Sequence, residues 1–361
     1  MKFLVACGGS GGHVFPGVAA AQVLRKAGHT VALILSGHSV EGERPADWDG
    51  EILRLPCPAP KTLRGLLGFI AAFRRDYIAI RKFKPDALLA TGSYTSVPPA
   101  LMARRLGVPL VLHEGNAIPG KAVKFLARFA KTTCLSFEGC AKFFPDKTRT
   151  VFTGHPLRDG VVGAKNADEK NDVFTLLVMG GSQGARGLNR IVADAVRILD
   201  AKQSATPDGR RLRVVHIAGA RNESEVRASY EGLANIRTET IGFTNDIGRI
   251  YAETDFCVSR AGASSIYELR ANGIPSLLVP LAGLANDHQV FNAREATRLG
   301  CAQIALQSEL TPESLASRLE SAISAPEKPH TPDNKTNPVK HSEPARQIAE
   351  KLLNAAYKTK N

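Results

Sequence analysis

Twice in this chain an apolar run ends in a glycine cluster that opens a helical pattern: FLVACGGSGGHVFPG (3–17) and FTLLVMGGSQGARG (174–187). Glycine inside a regular element costs roughly 1 kcal/mol relative to alanine, so clusters at two first strand-to-helix turns mark backbone that something must approach closely. A strand, a glycine turn and a helix in each half predict two Rossmann-like domains with parallel sheets. Such sheets take their ligands beyond the carboxyl ends of the strands, where these loops lie. The expected fold is therefore α/β, two such domains facing a central cleft.

The rest of the chain fits that pattern. LVAC (4–7), TVALIL (30–35), DALLA (86–90), PLVLH (109–113), TTCLS (132–136) and TRTVF (148–152) read as one set of strands. FTLLVM (174–179), LRVVHI (212–217), DFCVS (255–259) and PSLLVP (275–280) read as a second, with helical patterns between. The expected divisions are an N-terminal domain over 1–160, a linker over 161–172 and a C-terminal domain over 173–324. A proline- and charge-rich loop follows over 325–344, and a helix with its tail closes 345–361. At 361 residues the chain is long enough for two ordinary domains. It has no apolar run near the ~20 residues that cross a bilayer, and MKFLVAC is too brief for a signal peptide. Six scattered cysteines without a CxxC pair read as buried thiols of a reducing compartment, the cytoplasm, and not as a disulfide frame or a metal site. The net charge of +13 points to a polyanionic partner, namely nucleic acid, anionic membrane or phosphorylated substrates.

Three known loops compare with the glycine clusters. The dinucleotide fingerprint GxGxxG breaks at Val14, and neither site carries the lysine of a P-loop. Both satisfy GxSxG, the nucleophile elbow of hydrolases, and Ser182 has Asp255 and His288 downstream as acid and base. Two elbows in one chain, each after the first strand of its half, fit that chemistry poorly. Backbone N–H groups at a helix start, with the Ser182 hydroxyl beside them, instead form a seat for a diphosphate.

The ordered motifs GGSGGHVFPGVAAA (8–21), HEGN (113–116), GHPLR (154–158), GGSQGARGLN (180–189), SRAGASSIYEL (259–269) and NDHQVFNA (286–293) resemble the MurG family, in glycosyltransferase family 28. The resemblance runs from residue 3 to about residue 320. It implies a GT-B fold and metal- and cofactor-free inverting transfer of N-acetylglucosamine from its UDP sugar to the C4 hydroxyl of lipid I, the undecaprenyl-diphospho-muramoyl-pentapeptide. Lipid II and UDP would be the products. It also implies a peripheral place on the cytoplasmic face of the cell membrane. Carried over residue by residue, Ser182 with Ala263, Ser264 and Ser265 would serve the donor phosphates, Glu268 the ribose and the backbone at Thr244 the uracil. Gln289 and Asn292 would contact the sugar, and Arg158 would offset phosphate charge. In the N-terminal half Ser10, Gly11, Gly12 and Asn116 match ligand-contacting positions. His13 would be the general base, since an ordinary histidine is mostly neutral at physiological pH; capping the helix or binding phosphate as a cation are its other uses. Ser10 stands where the family usually has threonine, and Gly115 where it has the glutamine of HEQN. A UDP-N-acetylglucosamine epimerase and a non-catalytic subunit that recruits a partner to the membrane are the rival readings.

KTLRGLLGFIAAFRRDYIAIRKFKP (61–85) sets Lys61, Arg64, Arg74, Arg75, Arg81, Lys82 and Lys84 among apolar residues, with one acid, Asp76. Leu63, Leu66, Ile70, Phe73, Tyr77 and Ile80 recur at helical steps and predict a core-facing stripe. The cations would lie outside with Leu67 and Phe69. That face is either a solvated one or a seat on anionic lipid; no recognised nucleic-acid module appears.

Overall fold

The computed structural model describes residues 1–37, 45, 48–162, 172–181, 184–202, 210–283, 287–300, 302–324 and 343–360. Two compact units divide the chain between Asp159 and Gly160, and the closing helix returns to the first. Most of the expected linker and of the proline-rich loop, and also Ser182, lie outside the described residues.

In the first unit the elements run β1 (Lys2–Ala6), α1 (Gly11–Lys26), β2 (Thr30–Leu35), β3 (Glu51–Arg54), α2 (Leu63–Phe83), β4 (Ala87–Ala90), α3 (Val97–Arg105), β5 (Leu110–Glu114), α4 (Lys121–Leu126), β6 (Thr132–Leu135) and β7 (Thr150–Phe152). They form a parallel sheet of order β3-β2-β1-β4-β5-β6-β7. The second unit runs β8 (Val173–Met179), α5 (Arg186–Ala201), β9 (Arg211–Ile217), α6 (Glu223–Ser229), β10 (Arg237–Ile241), α7 (Ile247–Glu253), β11 (Phe256–Ser259), α8 (Ala263–Ala271), β12 (Ser276–Leu278), α9 (His288–Arg298), β13 (Gln303–Ile304) and α10 (Pro312–Ser324). Its sheet is also parallel, of order β10-β9-β8-β11-β12-β13. Both orders reverse direction beside their first strand, which is the doubly wound arrangement. The central strands are apolar and buried on both faces because helices cover each sheet from two sides. The closing helix α11 (Glu343–Lys360) sets Ile348, Ala349, Leu352, Ala355 and Ala356 into the core of the first unit, beside α1.

α2 corrects one expectation. Leu63, Leu66 and Ile70 do not face the core: they are 76%, 44% and 57% exposed, and Leu67 is 60% exposed. The buried positions are Gly65, Ala72, Asp76 and Ile80. Small residues face inward because the 56–60 segment lies against the helix. A Cβ on Gly65 would stand 2.3 Å from the Ala59 carbonyl, and one on Gly68 2.5 Å from Pro58 Cγ. The large apolar side chains are left on the outer face, among the cations.

Candidate active site

In each unit the glycine loop ends the first strand beside the point where strand order reverses. In the first unit Gly8 packs so closely that a Cβ would stand 2.9 Å from both Ser36 Oγ and Thr95 Oγ1, and Gly9 has φ +122°. Those two glycines are demanded by the fold. Gly12 is not: it is exposed, its φ is ordinary, and a Cβ there would meet only Ser10 Oγ, at 3.7 Å. A glycine required neither by backbone nor by packing leaves the start of α1 open to approach from outside. Ser10 is the N-cap residue of α1, yet its side chain makes no capping hydrogen bond, and Gly11 begins the helix.

His13, on the first turn of α1, is half-buried and reaches across the reversal point to the loop after β4. Its Nδ1 lies 2.8 Å from the Thr91 carbonyl, and the Thr91 hydroxyl donates to the His13 carbonyl at 2.8 Å. A carbonyl only accepts, so Nδ1 carries the proton and the neutral ring has its lone pair on Nε2. That is the tautomer a general base needs.

After β5 the chain turns around a buried carboxylate that sequence reasoning left out of the site. Glu114 Oε1 accepts from the Asn116 backbone N–H at 2.9 Å and from Asn116 Nδ2 at 3.1 Å, and Oε2 accepts from Gly120 N–H at 2.8 Å. Burial raises its pKa to about 6 against these hydrogen bonds. Glu114 thus sets the attitude of Asn116. A carboxylate at the end of a buried strand, two residues before an amide, is the signal that could have found it. Arg158 is 8% exposed and lays its guanidinium 4.3 Å over the Phe15 ring of α1.

In the second unit the loop after β8 contains Gly181 and Gly184 at φ +84° and +74°, and a Cβ on Gly184 would stand 2.5 Å from the Ala218 carbonyl. Ala185 and Gly262 are the N-cap residues of α5 and α8, and neither makes a side-chain capping hydrogen bond. Neither N-cap side chain satisfies the first-turn N–H groups of its helix, and the two helix starts stand at adjacent strands on the carboxyl edge. Ala263, Ser264 and Ser265 form the first turn of α8, and Glu268 follows, half-buried. Tyr251 of α7, 1% exposed and also absent from the expected site, donates its hydroxyl to Glu268 Oε2 at 2.8 Å. Thr244 lies in the loop before α7, and its Oγ1 accepts from Asp246 N–H at 3.0 Å. Gln289 Oε1 accepts from Leu281 N–H at 2.9 Å, steadying the loop after β12. Asn292 is 1% exposed and donates to the Ala261 carbonyl at 3.2 Å, which places its amide behind the loop that enters α8. Arg260, in that loop, is 6% exposed and donates to the Val279 carbonyl and to Gln307 Oε1, both neutral.

The hydrolase reading fails on topology. Asp255 accepts from Thr175 N–H at 2.9 Å, near the amino end of β8, whereas the Ser182 loop leaves the carboxyl end. At about 3.3 Å per residue the two are separated by the length of the strand.

The glycosyltransferase family 28 N-terminal domain matches residues 3–135, and the family 28 C-terminal domain matches residues 175–352. A relative from Nitrosospira multiformis, named UDP-N-acetylglucosamine–N-acetylmuramyl-(pentapeptide) pyrophosphoryl-undecaprenol N-acetylglucosamine transferase, is 35% identical over 88% of each chain. One of the same name from Cupriavidus necator is 36% identical over 88% of each. The crystal structure of Acinetobacter baumannii MurG superposes with a TM-score of 0.68 at 26% identity, covering 99% of this chain and 95% of that one. A UDP-GlcNAc 2-epimerase from Neisseria meningitidis reaches 0.67 at 14% identity, covering 98% of this chain and 100% of that one, and shares the fold alone. With both domain matches in order on the two Rossmann-like units, the chain belongs to glycosyltransferase family 28.

Proposed function

We propose that this chain transfers N-acetylglucosamine from its UDP sugar to the C4 hydroxyl of the muramoyl sugar of lipid I, forming lipid II and UDP. The observation that carries the reading is the 2.8 Å approach of His13 Nδ1 to the Thr91 carbonyl, which leaves Nε2 as the acceptor of the neutral ring. As the acceptor oxygen bonds to the anomeric carbon, its proton passes to His13 Nε2. The bond from that carbon to the diphosphate breaks with inversion, and UDP leaves with the electron pair. In the second unit the Ser182 loop and the first turns of α5 and α8, with Ser264 and Ser265, receive the charge of the departing diphosphate. Arg260, which donates to the Val279 carbonyl and to Gln307 Oε1, adds a cation at the same edge. Glu268, steadied by Tyr251, takes the ribose hydroxyls, and the loop at Thr244 takes the uracil. Gln289 contacts the sugar, and Asn292 acts from behind by shaping the loop before α8. Ser10, Gly11, Gly12 and Asn116 receive the acceptor, and Arg158 stands near with its positive charge. No group of three or more His, Cys, Asp or Glu that could hold a metal occurs among the described residues.

None of the described helices is long and apolar enough to cross a membrane. The outer face of α2 combines Leu63, Leu66, Leu67 and Ile70 with Arg64, Arg74, Arg81 and Lys82. That composition suits adsorption to the anionic cytoplasmic face of the membrane in which a polyprenyl-linked acceptor resides, at about 1 kcal/mol per cation near the surface.

The test supplies UDP-N-acetylglucosamine with a lipid I analogue and identifies products by mass. One added N-acetylhexosamine per UDP released is expected. Turnover of the UDP sugar to an epimer without acceptor would establish the epimerase reading instead.

A further inference from the structure

Three adjacent strands, β5, β6 and β7, each deliver one polar residue to the same level of the carboxyl edge, beneath the acceptor loop. His113 comes from β5, Ser136 directly follows β6, and His155 follows Gly154, whose φ is +77°. Their exposures are 1%, 0% and 2%. Ser136 Oγ lies 3.0 Å from His113 Nε2 and 2.9 Å from His155 Nδ1, so one hydroxyl joins the two rings.

The loop rests on this trio. A Cβ on Gly115 would stand 3.5 Å from His155 Cε1 and 3.9 Å from His113 Cε1, ordinary contact distances, and the φ of Gly115 is not left-handed. The next residue is Asn116, held from the other side by Glu114. We propose that His155 and Ser136 are positioning residues for the acceptor: together with His113 they form the floor on which Gly115 lies, and so fix Asn116. This rests on the reading that Asn116 contacts the acceptor.

The chemistry of the trio supports a rigid floor. A serine hydroxyl has one proton and two lone pairs, so it donates to at most one of the rings and accepts from at least one. If it donates to His155 Nδ1, His113 donates through Nε2, and both rings are Nε2–H tautomers. If it donates to His113 Nε2, His155 donates through Nδ1, and both are Nδ1–H tautomers. Burial holds both imidazoles neutral, with His155 pushed down to about 3 and His113 well below its ordinary value. A positive charge on His13 depresses both further. His13 can then accept the acceptor proton without facing a second cation, and Glu114 is the nearby carboxyl group.

The test measures KM for a soluble acceptor analogue and for UDP-N-acetylglucosamine in four variants. Ser136→Ala breaks the junction, and His155→Leu keeps bulk but loses the hydrogen bond. His155→Asn is the conservative variant, because its amide falls where Nδ1 sits and retains the bond to Ser136. Asn116→Ala tests the underlying reading. Ser136→Ala and His155→Leu are expected to raise acceptor KM by about tenfold, the equivalent of ~1.4 kcal/mol. Donor KM should stay within about twofold, and His155→Asn should recover most of the loss. If Asn116→Ala raises acceptor KM while Ser136→Ala does not, the positioning role is overturned. An Asn116→Ala enzyme with unchanged acceptor KM would show instead that the reading of the loop is wrong. Should Ser136→Ala fail to fold, imidazole ¹⁵N shifts of the unaltered protein decide the matter. At least one of His113 Nε2 and His155 Nδ1 should carry a proton, and neither ring should titrate between about pH 5 and 8; a His113 Nδ1–H with a His155 Nε2–H, which leaves neither ring able to donate to Ser136, overturns the proposal.

Discussion

Tyr251→Phe isolates the contact that steadies Glu268. The ring is 1% exposed and packs in the core between α7 and α8, so the phenylalanine fills the same space and loses only the hydroxyl. That hydroxyl donates to Glu268 Oε2 at 2.8 Å and lies 3.6 Å from Met179 Sδ. A hydrogen bond to a charged group contributes about 1.5–3 kcal/mol when buried. Glu268 is half-buried, so water replaces part of it. What remains is the ordering of a loosened glutamate on binding, about 0.5–1.5 kcal/mol. The dissociation constant of UDP should therefore rise by roughly 2- to 12-fold. Glu268→Ala should cost about 1.5–3 kcal/mol. Calorimetric titration of UDP into the two single variants and the double variant reads both effects. Because Tyr251 acts through Glu268, the double variant should bind UDP no more weakly than Glu268→Ala alone. Unchanged affinity in Tyr251→Phe, or additive losses in the double variant, would refute the reasoning.

His13→Ala should lower turnover by about 10²–10⁴-fold with little change in UDP affinity, and loss of UDP affinity in equal measure would make His13 a phosphate ligand instead. Replacing Arg74, Arg81 and Lys82 together by Gln should weaken adsorption to anionic vesicles while a soluble acceptor analogue is used normally; Arg75 is spared because it donates to the Pro56 carbonyl. Vesicle binding equal to that of the parent at low and high salt would leave α2 an ordinary solvated face. Asp76 is 3% exposed, its Oδ1 has no hydrogen-bond partner among the described residues, and burial raises its pKa from 3.8 to about 7 against the pull of Arg75. A raised carboxyl pKa gives stability that is full below the unfolded value and is lost as pH rises through the folded one. Asp76→Asn should thus remove a decline in stability between about pH 4 and 7 and stabilise the protein at pH 8 by up to ~4 kcal/mol. Parallel melting curves for both proteins across that range would contradict it.

The sequence made the central strands legible because they are buried on both faces and read as continuous apolar runs. β3, β10 and β13 were not legible, and all three are edge strands. EILR, RTETI and QI each face solvent on at least one side, so no apolar run announces them. The α2 stripe misled for a related reason: helical periodicity finds an apolar face but does not say what covers it. The inward face is set by Gly65 and Ala72, whose small size admits the 56–60 segment. At the site, motifs named the candidate ligand residues, whereas the residues that hold them came from other elements. Thr91, Tyr251 and His155 reach their partners across separations of 78, 17 and 19 residues. No local spacing encodes such pairings.

The closing helix has a consequence for the order of synthesis. Ile348 and Leu352 complete a hydrophobic core shared with β4, β5 and β6 and with β1, α1 and β2, which leave the ribosome long before α11 does. Domains generally fold as units as they emerge, amino-terminal first. Here the amino-terminal unit waits, one apolar flank uncovered, while the second unit, contiguous in sequence, emerges and folds. Its contact order is thus set by the far end of the message, and a stop codon ahead of α11 would spare the unit made second and cripple the one made first.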